Sequence, residues 1–199
     1  MPLRASTSAM KLVILDRNGT INVARDDFVK SDVEWTPLPG ALEAIARLNH
    51  AGWHVVIASN QSGLGRGLFD VASLNLMHAK MHKMLAGVGG KVDAVFYCPH
   101  SPDENCNCRK PQPGLFQQIG DRYGISLVNV PTAGDSLRDL QAGAAVGCEP
   151  HLVLTGKSAR YRGGGQPEGL PAGTLLHADL PAFADFILER GARPLPVAI

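Results

Sequence analysis

The sequence predicts an α/β protein, a Rossmann-like doubly wound parallel sheet, and three observations predict it. Short apolar runs of strand length alternate with segments of helical period along the 199 residues. The runs are apolar on both faces, as strands covered on both sides of a parallel sheet must be. Polar residues stand at the carboxyl end of one run after another, where an open parallel sheet receives its ligands. Apolar residues make up 45% of the chain and charged ones 19%, enough for one well-filled core. A net charge of +1 with scattered basic residues argues against a nucleic-acid surface. No apolar run reaches the roughly 18 residues a membrane helix needs.

The elements follow in order. Residues 1–9 lack the apolar stretch of a secretory signal and read as a disordered extension ahead of Met10, so the cytoplasm is the expected compartment. "KLVILD", Lys11 to Asp16, is the first strand. Pro39 to Gly52 is a helix, with proline near its start and glycine past its end. Trp53 to Ser59 is the second strand, and a longer helix runs from Val71 to Leu85. Val92 to Cys98 is the third strand, followed by a cysteine-rich segment. Pro113 to Gly124 is a helix, Val130 to Asp135 the fourth strand, Ser136 to Gly147 its helix, and His151 to Gly156 the fifth strand. The glycine-rich stretch from Ser158 to Gly173 reads as a mobile surface loop. Leu180 to Gly191 is the last helix and residues 192–199 a tail, so one domain spans 10–191. No apolar stripe calls for a partner, and a monomer is expected.

The polar strand ends carry the chemistry. Asp16 and Asp135 would repel across neighbouring strands unless a cation lay between them, and a hard divalent ion such as Mg²⁺ suits two carboxylates. Asp139 lies one helical turn beyond Asp135. "SNQSG", Ser59 to Gly63, offers a hydroxyl, two amides and a glycine turn that can cradle phosphate oxygens. Arg109 and Lys110 supply a fork and a point charge for anions. Cys98, His100, Cys106 and Cys108 lie within eleven residues, and three thiols with one imidazole match a closed, structural Zn²⁺ site. Cys148 stands apart and reads as buried structure.

These motifs together resemble the haloacid dehalogenase superfamily of phosphohydrolases. The resemblance rests on "DRNGT", on Ser59 closing the second strand, on Lys110 and on "GDSLRD". It implies that Asp16 is the nucleophile, forming an aspartyl-phosphate, and that Mg²⁺ sits on Asp16, the backbone carbonyl of Asn18 and Asp135. Ser59 and Lys110 would hold the transferring phosphoryl group. The zinc loop, with "SNQSGLGRG", "CRKPQPG" and Asn22, is similar to the branch that holds heptose-1,7-bisphosphate 7-phosphatases and histidinol-phosphate phosphatases, and the heptose enzymes resemble it more. The implied substrate is a small-molecule sugar bisphosphate that loses its C7 phosphate in building lipopolysaccharide heptose, with no large cap domain over the site. Asn22, Asn60, Gln61, Ser62, Arg66, Arg109 and Ser136 are the expected substrate contacts.

Asn18 departs from the family pattern, which has Asp there as general acid and base. Asn can neither give nor take a proton near neutral pH, and losing such a group typically costs ~10² to 10⁴-fold. Three accounts arise: a substitution made to trap a substrate complex, a weak enzyme or sugar-phosphate-binding pseudoenzyme, and proton transfer by Asp26 or Asp27. The first is the favoured account.

Overall fold

The structure is a computed structural model that describes residues 10–192. Six parallel strands form one sheet: β1 Leu12–Leu15, β2 His54–Asn60, β3 Ala94–Cys98, β4 Pro131–Gly134, β5 Glu149–Val153 and β6 Leu175–His177. Their spatial order is β3-β2-β1-β4-β5-β6. The connections run outward in opposite directions from β1 and β4, so the crevice at the topological switch lies beyond the carboxyl ends of these two strands. Six helices follow in chain order: α1 Ala41–His50, α2 Ser62–Gly65, α3 Val71–Gly87, α4 Gly114–Tyr123, α5 Leu137–Ala144 and α6 Leu180–Ala192. Among the described residues, no helix is long and apolar enough to cross a membrane.

The sheet is covered on both faces because β1 is apolar at every position. Val13 and Leu15 join α1, α3 and α6 in one core through Ile45, Leu48, Met77, Met81 and Phe183. Leu12 and Ile14 point the other way, into a smaller core with Leu115, Phe116 and Ile119 of α4 and Ala142 of α5. Alternation of side chains along a strand puts successive residues on opposite faces. Each β1 side chain is therefore fully buried, worth about 1.5–3 kcal/mol apiece. Two packed layers leave the carboxyl edge of the sheet as the one polar rim.

Three details differ from the sequence reading. A sixth strand forms at Leu175–His177, pairing with β5 from His151↔Leu175 to Val153↔His177. It is short and at the edge, with Leu175 and Leu176 each 38% exposed, so neither length nor alternation marks it in the sequence. β5 runs over Glu149–Val153 rather than to Gly156, because the chain leaves the sheet there to let the Thr155 hydroxyl donate to the carbonyl of Gly19. The expected mobile loop begins with a 3₁₀ helix, Gly156–Tyr161, whose Ser158 is buried and donates to the carbonyl of Asp135 at 2.7 Å. This start of the loop is therefore ordered and packed. The expected extension at 1–9 and residues 193–199 of the expected tail lie outside the described residues. Among the described residues, the carboxyl edge carries loops, α2 and two short 3₁₀ helices, with no cap domain.

Candidate active site

Four charged side chains meet just past β1 and β4. Lys110, only 2% exposed, places its Nζ 2.6 Å from Asp16 Oδ1, 2.6 Å from Asp139 Oδ1 and 2.6 Å from the carbonyl of Ala58. An ammonium has three donors, and all three are used. Burial alone would lower the Lys110 pKa, but the carboxylates of Asp139 and Asp16 outweigh it and hold the amine above its ordinary value. Asp139 also feels burial, yet Lys110 and the hydroxyl of Ser136, donating at 2.6 Å, hold its carboxyl below the usual range. Asp16 is raised by burial, with the Lys110 ion pair opposing and Asp139 adding to the rise.

Asp135 is the fourth group, and among the described residues it forms no salt bridge, although the charge of Lys157 acts on it. Burial, then repulsion from Asp139 and Asp16, push its carboxyl up to about 8. Oxygens of Asp16, Asp135 and Asp139 lie within 4.8 Å of one another. One ammonium thus faces three carboxylates, and Asp135 keeps its proton near neutrality unless positive charge arrives. That donor set fits a hard divalent cation.

Backbone packing fixes Asp135. Gly19 (φ +85°) and Gly156 (φ +48°) press against it, and a Cβ on either would lie 2.2 or 2.1 Å from Asp135 Oδ2. Only glycine fits both the conformation and the space. The amide of Lys157 donates to the same Oδ2 at 2.7 Å.

A cavity of about 330 Å³ opens over this cluster. Its wall includes Asp16, Asn18, Asn60, Ser62, Arg66, Arg109, Lys110, Asp135, Ser136 and Asp139, all singled out in the sequence. It also includes Arg138, Lys157 and Phe28, which sequence reading missed. Arg138 sits within "GDSLRD", one residue before Asp139, and Lys157 follows the Gly156 turn. The missed signal was that the first turn of a helix after a strand end faces the same crevice as the strand end itself. Among the described residues, Arg66, Arg109 and Arg138 pair with no carboxylate, and Arg109 Nη1 is buried without any partner. Burial, then Arg138, lower the Arg109 pKa, with Arg66 adding to it. Phe28 (φ +69°) holds a backbone conformation rare outside glycine, and Arg66 lies over its ring at 5.6 Å.

Several expected contacts turn out to be engaged elsewhere. Asn60 clamps the backbone of Lys110, accepting from its N and donating to its O at 3.0 Å each. Gln61 is buried and donates to Ser59 Oγ at 2.7 Å. Asn22 is fully buried and donates to Asn18 Oδ1 at 3.1 Å. Gln61, Asn22 and Ser59 are buried and do not line the cavity, whereas Asn18, the partner of Asn22, does. Asp26 lines the cavity, whereas Asp27 is exposed and paired with Arg25 and Lys30.

The cysteine segment folds next to this cavity. Cys98 Sγ lies 3.5 Å from Cys106 Sγ and 3.5 Å from His100 Nδ1; Cys108 Sγ lies 3.3 Å from that Nδ1 and 3.5 Å from Cys106 Sγ. A tetrahedron with metal–sulfur bonds of about 2.3 Å has edges of roughly 3.7 Å, so the four atoms already approximate one. Burial pushes the Cys98 thiol up to about 12, whereas at Cys106 burial is outweighed by hydrogen bonds with Cys108 and Cys98, which bring that thiol down to about 7. Cys148 is buried, as expected.

Comparison with known proteins matches this geometry. The HAD-hydrolase-like family profile matches residues 107–172, and that of polynucleotide kinase 3 phosphatase matches residues 11–135. The chain is 56% identical over 180 residues to D-glycero-beta-D-manno-heptose-1,7-bisphosphate 7-phosphatase of Bordetella bronchiseptica, covering 90% of this chain and 99% of that one. The chain belongs to the heptose-bisphosphate phosphatase family of HAD-like hydrolases. Its relative of that name in Pseudomonas aeruginosa is 49% identical, covering 89% of this chain and 98% of its own. The crystal structure of the B. bronchiseptica enzyme, complexed with magnesium and phosphate, superposes with a TM-score of 0.87, covering 91% of this chain and 99% of that one. The family enzyme from Burkholderia thailandensis, 52% identical, gives 0.69 and covers 89% and 98%. The superfamily resemblance carried by the four sequence motifs is borne out.

Proposed function

We propose that this chain binds D-glycero-D-manno-heptose 1,7-bisphosphate and acts on its C7 phosphate, with Asp16 as nucleophile. The carrying observation is that Asp16 is ion-paired to a fully buried Lys110 at the floor of a cavity whose wall bears Arg66, Arg109 and Arg138 without carboxylate partners. Asp16 would bond to phosphorus as the bond from phosphorus to the sugar oxygen breaks, leaving an aspartyl-phosphate that water then cleaves. Lys110, already seated on Asp16, balances the charge that the phosphoryl group brings. Ser59 donates its hydroxyl to the same group. Asp16, the Asn18 carbonyl and Asp135 would hold Mg²⁺, which neutralises charge on the phosphoryl oxygens. Cys98, His100, Cys106 and Cys108 would hold Zn²⁺, whose role is to fold the loop that aims Arg109 and Lys110.

The departing sugar oxygen needs a proton, and Asn18 has none to give. Binding is thus retained while chemistry is slowed, by ~10² to 10⁴-fold. The arginine wall suits the second phosphate of a bisphosphate. It would repel the ammonium of histidinol phosphate, which places that substrate second.

The test is phosphate release by Asn18→Asp from heptose 1,7-bisphosphate, heptose 7-phosphate and histidinol phosphate. A gain of about 10² or more over the parent on the bisphosphate is expected. Absence of turnover on every sugar phosphate would sink the reading.

A further inference from the structure

Arg17 is the most deeply buried cation that the chemistry above leaves unused. Its side chain is fully buried, and among the described residues no carboxylate pairs with it. All its contacts are neutral. Nε and Nη2 both donate to Asn18 Oδ1, at 3.4 and 3.3 Å. Nη2 also donates to Gln61 Oε1 at 3.1 Å, and Nη1 meets His78 Nε2 at 3.1 Å.

A guanidinium only donates, so it dictates the orientation of each partner. His78 Nε2 must be an acceptor, which makes the ring neutral with its proton on Nδ1. Burial, then the Arg17 charge, lower its pKa to about 4, consistent with that state. Gln61 must offer Oε1 to Arg17, so its Nε2 is the atom that donates to Ser59 Oγ at 2.7 Å. Ser59, buried and not among the residues that line the cavity, therefore accepts at Oγ from Gln61 and keeps its own proton uncommitted. At position 18, Oδ1 takes donors from Arg17 and from Asn22, so the other side-chain atom is left for the cavity that Asn18 lines.

We propose that Arg17 is the positioning residue of this site: it sets which atom of residue 18 faces the cavity and, through Gln61, which way the Ser59 hydroxyl points. The proposal rests on Ser59 and residue 18 serving the phosphoryl group as read above. In the present chain, the atom presented is the amide Nδ2 of Asn18, a donor that can hold a phosphate oxygen. With Asp at 18, Oδ1 would stay on Arg17 and Oδ2 would be the oxygen that exchanges protons. The contacts of 3.3–3.4 Å to the amide are long for a fork-shaped donor, whose charge-assisted bonds to carboxylates run about 2.7–2.9 Å.

Two measurements test this without any sugar substrate. The first is a thermal double-mutant cycle with Asn18→Asp and Arg17→Met. Asn18→Asp should raise Tm in the parent and lower it in the Arg17→Met background, with a difference of about 3–6 °C between the two. Equal shifts in both backgrounds would overturn the coupling. The second uses Gln61→Glu, which keeps an acceptor for Arg17 but turns the Ser59 proton inward to a carboxylate. With Mg²⁺ present, inorganic phosphate should bind this variant about tenfold more weakly while Tm holds or rises. Unchanged phosphate affinity would overturn the Ser59 arm, even if Arg17→Met fails to fold. In both backgrounds that fold with Arg17, ¹⁵N NMR of the histidine rings should show an unprotonated Nε2 at His78; a protonated one contradicts the arrangement. A failed heptose assay with an intact cycle would condemn the substrate and leave this inference standing.

Discussion

At the scale of single residues, the site is defined by charges that cannot be moved singly. Lys110 is nearly inaccessible and holds Asp16 and Asp139 together. Removing one member of a buried pair leaves the other uncompensated, typically a loss of about 3–5 kcal/mol. Lys110→Met should therefore lower stability by an amount in that range in chemical denaturation and abolish the turnover gained by Asn18→Asp. A variant that unfolds at the parent's denaturant midpoint would show that the ion pairs count for little. Residue identity at these positions was legible in advance: Asp16 and Asp135 stand as charges at apolar strand ends, and Lys110 as one of a basic pair between the cysteine segment and the next helix. Arg138 was not, because a helix-first-turn arginine looks like any solvated one until the crevice is known to lie beside it. Nor does the sequence show that Gln61 and Asn22 donate to Ser59 and Asn18. Sequence shows a polar side chain but not whether its atoms are already engaged.

At the scale of elements, the loop between β3 and α4 gathers Cys98, His100, Cys106 and Cys108 into one cluster. Pro102–Glu104 makes one short 3₁₀ turn, in which Glu104 accepts from the amide of Ser101, and Asn105 sits at φ +46°. These residues are exposed, so apolar burial does not hold them. The chain emerging from the four-ligand cluster is clamped by Asn60 at Lys110. Cys106→Ser should thus release the loop, expected as faster amide exchange over 99–109 and weaker Mg²⁺-phosphate binding, while the sheet stays protected. Protection unchanged in that segment would mean that the loop folds without its metal set. The loop between β5 and β6 gives the opposite lesson. Its composition suggested mobility from Ser158 onward, yet Ser158 donates to the carbonyl of Asp135 beside the amide of Lys157, a contact 23 positions away that no local signal encodes.

At the scale of the whole molecule, the clustered carboxylates couple stability to pH and to metal. Asp135 has its pKa raised from 3.8 to about 8 in the folded protein, and Asp16 is raised as well. The folded state therefore binds more protons than the unfolded state between these values, so metal-free stability falls as pH rises from about 4 to 8. On the proposed assignment, Mg²⁺ would take the place of the proton. Its stabilisation, read as the rise in Tm at saturating metal, should be larger at pH 8 than at pH 5.5, and an equal rise at both would contradict the cluster's role as the cation site. The sequence by itself marked five of the six strands, five of the six helices and most of the charges that gather at the carboxyl edge. Apolar periodicity and polar strand ends are local properties, and the parallel α/β solution follows from them. Only the tertiary structure decided which polar atoms face the cavity. It seats Lys110 between two carboxylates, leaves Asp135 without a salt bridge among the described residues, gathers Arg66, Arg109 and Arg138 on one wall, and buries Arg17 against Asn18 and Gln61. These placements join residues up to about a hundred positions apart, as Lys110 and Asp16 show at a separation of 94. The orientation of each is set by a partner that arrives only when the sheet closes.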